Sequence, residues 1–240
     1  RGAQIHGSID GKIGFYTYVG ENQAAFPAFV DEYIRENLQV PQEGFWKNFG
    51  ERGVDFLTAR GHISLQATQH IDVQFGHGRH FVGNGYRSLV LSDFSNNYLF
   101  LRVNTQVWKL QYTNLFAQMT ADIIGNQTGL YGTLPFPRKY LALHRLGMNI
   151  TPRLQLGVFE SITYGDADGR FDLNYLNPII FYRAIEQQGG SVGNALLGLD
   201  LRWIPLKGVS LYAQGLIDEF VISEMRSGEN WWGNKYALQL

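Results

Sequence analysis

Few side chains in this sequence stand at the spacings that chemistry requires. His77 and His80 lie three apart around Gly78-Arg79 and could meet at one metal ion, but no third ligand stands near them. Asp166-Ala167-Asp168-Gly169 matches the opening of a calcium loop, because alternating carboxylates offer hard oxygen ligands and glycine permits a sharp turn. Asn177 occupies the twelfth position, where a calcium loop needs glutamate, so Asp166 and Asp168 form a weak calcium candidate and read first as a solvated loop tip. No His-Glu-x-x-His pair or P-loop occurs. Catalytic residues, a metal and a cofactor are not expected, and the chain is not read as an enzyme.

Binding is a better prospect than catalysis. Trp46, Tyr131, Trp231 and Trp232 fall in loops or at their edges, where flat aromatic faces can stack on sugar rings. The alternative is that they anchor loops against one another. The densest segment runs from Phe75 to Asp93, FGHGRHFVGNGYRSLVLSD, with four glycines among Arg79, His80, Tyr86 and Arg87. Such glycines permit unusual backbone angles and close approach. The spacing is too irregular for a phosphate-binding loop, so the segment is expected to fold back over the polar side of a sheet, with Arg79 and Arg87 facing carboxylates there.

Composition narrows the class. A net charge of −1 provides no basic field for nucleic acid. Charged residues make up 17%, below the roughly 25% of soluble domains, while glycine reaches 28 residues and aromatics 14%. Cysteine is absent, which removes disulfides and thiolate metal sites. The mean hydropathy of −0.17 looks soluble. A β-barrel in lipid would look the same, because only alternate strand residues face the bilayer. The chain opens at Arg1 without a start methionine or signal peptide, which suggests a mature or trimmed chain.

The elements that must position these residues are strands. In Val107 to Gln118, Trp108, Leu110 and Tyr112 alternate with Lys109, Gln111 and Thr113. Leu154, Leu156, Val158 and Ile162 alternate with polar or small neighbours, as do Leu197, Leu199, Leu201 and Trp203, and Leu211, Ala213, Gly215 and Ile217. A period of two gives each strand one apolar and one polar face. Tight turns are expected at Asp10-Gly11, Thr68-Gln69-His70, Asn104-Thr105-Gln106, Thr151-Pro152 and Pro205-Leu206-Lys207-Gly208. Long connections fall at roughly 21–52, 77–95, 120–137, 165–191 and 220–234. Short and long alternate, so an up-and-down sheet carries all tight turns at one end and all long loops at the other.

That alternation predicts an all-β fold: an up-and-down antiparallel transmembrane β-barrel with long external loops, one short loop helix over Pro27 to Leu38, and a single domain spanning 1–240. About eleven strands are counted, and bacterial single-chain barrels close with an even number. The chain is therefore expected to be part of a larger barrel. Trp108 and Trp203 are expected in an aromatic girdle at the tight-turn end. Arg102, Asp200, Arg202, Gln214 and Asp218 are expected to face the lumen and, with Arg79, Tyr86 and Arg87, to hold plug-like loops. His144 and Glu160 break the pattern by falling on the apolar face, where a bulge or strand end would be needed to accommodate them.

The stretches GRHFVGNGYRSLVLSD, KYLALHRLGMNITPRLQLGVFESITYG and LNYLNPIIFYRAIEQ resemble the Wzi-type capsule assembly barrels of Bacteroidota, a group that includes gliding motility proteins of the RemB kind. The resemblance runs from about residue 54 onward. It implies a cell outer membrane location, with outer-membrane lipid around the wall. The partners it implies are either surface polysaccharide, bound by an outer-surface lectin, or surface adhesins and components of type 9 secretion. Two other readings are a porin-like channel and a soluble β-sandwich that binds or cleaves glycans.

If the apolar face meets lipid, Leu199→Arg should cost on the order of 2–4 kcal/mol at the bilayer midplane. On face assignment alone, Asp200→Asn should cost much less. Unfolding of the two variants in detergent or vesicles compares them, and equal, mild effects would refute the assignment of faces.

Overall fold

The computed structural model describes residues 1–120, 138–165, 171–178, 181–182, 185, 193–218 and 235–240. Its strands are β1 (Gly2–Ile9), β2 (Ile13–Ala24), β3 (Lys47–Phe49), β4 (Gly53–Gln66), β5 (Ile71–Gly78), β6 (Tyr98–Val107), β7 (Leu110–Thr120), β8 (Arg138–Thr151), β9 (Leu154–Tyr164), β10 (Gly193–Leu206), β11 (Val209–Asp218) and β12 (Lys235–Gln239). One helix, α1 (Ala28–Asn37), lies between β2 and β3. Pro27 and Leu38 cap it, so the helix expected from Pro27 to Leu38 forms between those two residues.

All strands join one antiparallel sheet in the order β1-β2-β4-β5-β6-β7-β8-β9-β10-β11-β12, with the short β3 pairing β4 off this path. Eleven strands on the path match the number counted from the sequence. Among the described residues β1 and β12 each pair on one side only, so the sheet is open.

The tight turns all lie at one end. Asp10 and Gly11 both have positive φ, at 52° and 64°, as a primed hairpin turn demands. One expected turn is misplaced. Asn104, Thr105 and Gln106 belong to β6 and pair with Thr113, Tyr112 and Gln111. The chain reverses instead at Trp108-Lys109, between the paired Val107 and Leu110. Trp108 takes a φ of 54° to make that turn and is therefore a turn residue, not a strand residue.

Register fixes the faces. Leu199 pairs with Val158 and Gly215, and its neighbour Asp200 with Gly157 and Gln214. Leu199 is 62% exposed and Asp200 2%. The same division runs along the sheet: Ile5, Phe15, Ile63, Phe75, Leu146 and Leu211 are exposed on the Leu199 face. Thr58, Thr113, Arg145 and Gln214 are buried on the Asp200 face.

The Asp200 face is the inside of a curve. The backbone N–H of His80 donates to the Tyr98 hydroxyl on β6, while a β-carbon on Gly85 would run into Gln239 on β12. In a flat sheet β6 and β12 would lie about 29 Å apart. The five residue steps from His80 to Gly85 span at most about 18 Å. Side chains that stand perpendicular to a flat sheet cannot close that gap, so the sheet must curl around the connection that follows β5.

Apolar clusters sit on both faces at the long-loop end. Inside, Val82 and Val90 pack on Tyr98, Phe100, Leu115, Leu143 and Phe159. Farther along the same face, Ile34 of α1 packs on Val40 and Val54. Outside, Tyr175, Tyr182 and Ile185 cover Tyr140, Ala142, Ile162 and Tyr164. His144 and Glu160 pair with each other in regular register, so no bulge relieves them. His144 instead lies against the covering segment, with the ring of Tyr182 edge-on at 4.1 Å.

Candidate functional site

The concave face and the two connections lying on it form the best-defined polar assembly in the molecule. Its centre is a buried ion pair. Arg145 of β8 reaches Asp200 of β10 with two hydrogen bonds, Nε to Oδ2 at 2.8 Å and Nη2 to Oδ1 at 2.6 Å. Gly147 and Gly157 are cross-strand partners on this face, between the two charged residues. A β-carbon on Gly157 would collide with both the Asp200 carboxylate and the Arg145 guanidinium. Two glycines thus form the floor on which the pair lies.

The connection after β5 docks on this pair. Asn84 donates to Asp200 Oδ1 at 2.6 Å, and the Leu89 N–H donates to Gln214 Oε1 at 2.7 Å. Gln214 Nε2 in turn donates to Ser88 Oγ at 2.9 Å. Gly83 has a φ of 110°, and a β-carbon there would strike Ser88 and Gln214, so the close approach needs glycine. Burial holds His80 neutral and lowers its pKa to about 4, with the positive charge of Arg102 adding to the effect.

A second connection leans on the first. Arg79 donates to Gln42 Oε1 at 2.9 Å and to the Ser95 carbonyl, and it lies 3.8 Å from Glu43. Glu43 also accepts from Thr58 of β4 at 2.7 Å. The two long connections and the wall are therefore tied through Glu43.

The expected site residues separate into groups. Asp200 and Gln214 hold the docked connection, and Arg79 joins the two connections without meeting a strand carboxylate. Among the described residues Arg87 meets no carboxylate; its guanidinium lies over the Phe94 ring of its own connection, at 4.9 Å. Tyr86 is 82% exposed. Arg102 donates to Asn104 and faces a small polar cavity of about 200 Å³ under the docked connection. Arg202 is exposed on the same face, and Asp218 lies 4.0 Å from Lys235. Trp46 packs against the α1 cluster, with the Arg35 guanidinium 5.4 Å from its ring centre, so it anchors its own connection. Trp108 and Trp203 are both exposed near the tight-turn end. Tyr131, Trp231, Trp232, Asp166 and Asp168 lie outside the described residues. His77 sits on the face opposite His62 and Tyr98, and no group of three metal-ligating side chains forms among the described residues.

Sequence reasoning missed Arg145, Asn84 and Ser88. Arg145 carried a usable signal, since it lies in phase with the polar face of β8. Asn84 and Ser88 carried none beyond membership of the glycine-rich segment.

No protein-family model matches the chain, and no curated protein is similar to it in sequence.

The buried pair revises the expectation for Asp200. Asp200→Asn leaves Arg145 buried without its counter-charge, and should destabilise the fold by about 3–5 kcal/mol, with denaturant unfolding as the measure. A cost under about 1 kcal/mol would mean the pair is solvated. A pH effect follows from His80. Its neutral form is favoured in the fold, so no penalty exists above pH 6.5. As pH falls from 6.5 toward about 4 the unfolded chain takes up the proton first, and stability should drop by on the order of 2–3 kcal/mol. Unfolding followed at pH 7 and pH 4 tests this, and His80→Phe should flatten the difference.

Proposed function

We propose that this chain forms the wall of an outer-membrane β-barrel that tethers or organises material at the cell surface, and that its own connections fill the interior. The observation that carries the reading is the inversion of the two faces. Large apolar side chains are exposed across the convex face, while charged and amide side chains are buried on the concave one. A water-soluble sheet would bury the first set and expose the second. From Leu65 to Leu57 on β4, eight residue rises at a barrel-like tilt cover about 21 Å, close to the ~25 Å apolar band of outer-membrane barrels. Closure needs the free edges of β1 and β12 to pair, with each other or with further strands.

The resemblance to capsule assembly and gliding motility barrels supports the surface role, with polysaccharide or the adhesin and secretion machinery as partner. The connection that spans β6 to β12 argues against an open porin-like lumen. Trp108 and Trp203 fit an interfacial girdle at the tight-turn end.

Extraction from native outer membranes in mild detergent, followed by protein and sugar analysis of what co-purifies, tests the reading. Bound polysaccharide or stoichiometric secretion proteins are expected, and planar bilayers should show no steady conductance. Release by salt wash alone would refute the membrane assignment, and large steady channels would refute the filled interior.

A further inference from the structure

The cavity beneath the docked connection is positively charged. Arg102 of β6 and Arg145 of β8 line it with Gln111 and Gln155, under Phe81 and Asn84 of the connection. Asp200 neutralises Arg145. Arg102 has no such counter-charge. Among the described residues its Nε donates to Asn104 Oδ1 at 3.1 Å, and its two amino groups donate to nothing. Asn104 Oδ1 also accepts from Thr113 at 3.0 Å, which holds Asn104, and through it the guanidinium, in place. Asp72 shares the face, but it stands opposite Asn104 rather than Arg102 and forms no ion pair with the guanidinium. Arg102 is half-buried. A charge so placed, with most of its donors unspent, is stabilised by an acceptor that comes to it.

A second hollow, of about 110 Å³, adjoins the first toward the tight turns and shares Gln155 with it. Gln155 stands in register between Asn149 and Arg202, and all three line this hollow with Arg153. Arg153 and Arg202 are exposed and form a rim at the tight-turn end. No aspartate or glutamate lines either hollow. Positive charges arranged this way draw anions inward. The planar fork of arginine matches two oxygens on one centre. The space of about 200 Å³ beside Arg102 sets the size: an oxyanion with a few waters, or a single acidic sugar.

We propose that this cavity is a binding site for one compact oxyanion, entered from the tight-turn end past Arg153 and Arg202. The amino groups of Arg102 take two of its oxygens, and the amides of Gln111 and Gln155 meet the rest of the group. The oxyanion is a phosphate, sulfate or carboxylate, either a free ion or carried on one sugar. The site uses only the concave face and its docked connection, so it goes beyond the membrane reading above without depending on it.

The test is calorimetric titration of the full-length protein, in neutral detergent and chloride buffer, with sodium phosphate, sodium sulfate and sodium glucuronate at one ionic strength. The wild type should bind one anion per chain, saturably. Binding of phosphate or sulfate alone assigns the site to a free ion, whereas tighter binding of glucuronate assigns it to an acid carried on a sugar. Arg102→Gln should weaken binding at least about tenfold, because it removes a charged donor pair. Arg202→Gln, at the exposed rim, should weaken it only about threefold. Asp72→Asn should tighten it, because a carboxylate on the same face no longer repels the anion. Circular dichroism checks that each variant folds. Absence of saturable binding by the wild type, or equal binding by a folded Arg102→Gln, overturns the site. Should Arg102→Gln fail to fold, unchanged affinity in Asp72→Asn overturns it instead. None of these outcomes bears on the barrel, which the extraction experiment decides by itself.

Discussion

Asp200 is buried in the wall of the sheet, and its carboxylate is tolerable there only because Arg145 meets it through two hydrogen bonds. Taking either charge out of water alone costs several kcal/mol. The glycine floor at Gly147 and Gly157 gives the pair room, and the pair then gives Asn84 its acceptor. Without that acceptor the connection after β5 loses its hold on β10, and Val82 and Val90 lose the anchor that keeps them on Phe100, Leu115 and Leu143. The ion pair thus sets the seat of Asn84, while Gln214 and Tyr98 hold the same connection on either side of it.

The two faces solve different problems with the same alternation. On the concave side, polar strand residues satisfy the amides and carbonyls of a connection that would otherwise be buried with orphaned groups. On the convex side, apolar residues need satisfy nothing, provided that the neighbour is itself apolar. Where Phe171, Tyr175, Tyr182 and Ile185 reach the convex side, they cover the strands as a soluble protein would. The wall therefore has two kinds of outer surface: an uncovered apolar band and a patch roofed by the chain.

The strands, their two faces and the alternation of short and long connections were legible because each depends on residues adjacent in sequence. The turn at Trp108-Lys109 was not, since neither residue prefers a turn. The pairing of Val107 with Leu110 imposes the positive φ, and the asparagine at 104 misled by suggesting a turn inside a strand. The polar network was half legible. Asp200 and Gln214 announced themselves by phase, but the loop groups they hold, Asn84, Ser88 and Leu89, lie more than a hundred residues earlier in a connection without periodicity. Arg79 and Arg87 were assigned to wall carboxylates, whereas each found a nearer partner in a connection. That Phe171, Tyr175 and Tyr182 lie outside left no sign in the sequence, because aromatics suit either surface.

The separation of 116 residues between Asn84 and Asp200 also sets an order of events. Contacts so distant along the chain close late, after the loop entropy between them has been overcome. When β1 to β6 have formed, the glycine-rich connection has no ion pair, no Gln214 and no β7 to β9 surface to receive Val82 and Val90. It must wait, solvated or held by other factors, until the C-terminal strands arrive. The last strands to be made thus determine the interior of the first, and a chain stalled before β10 would present an unfilled wall.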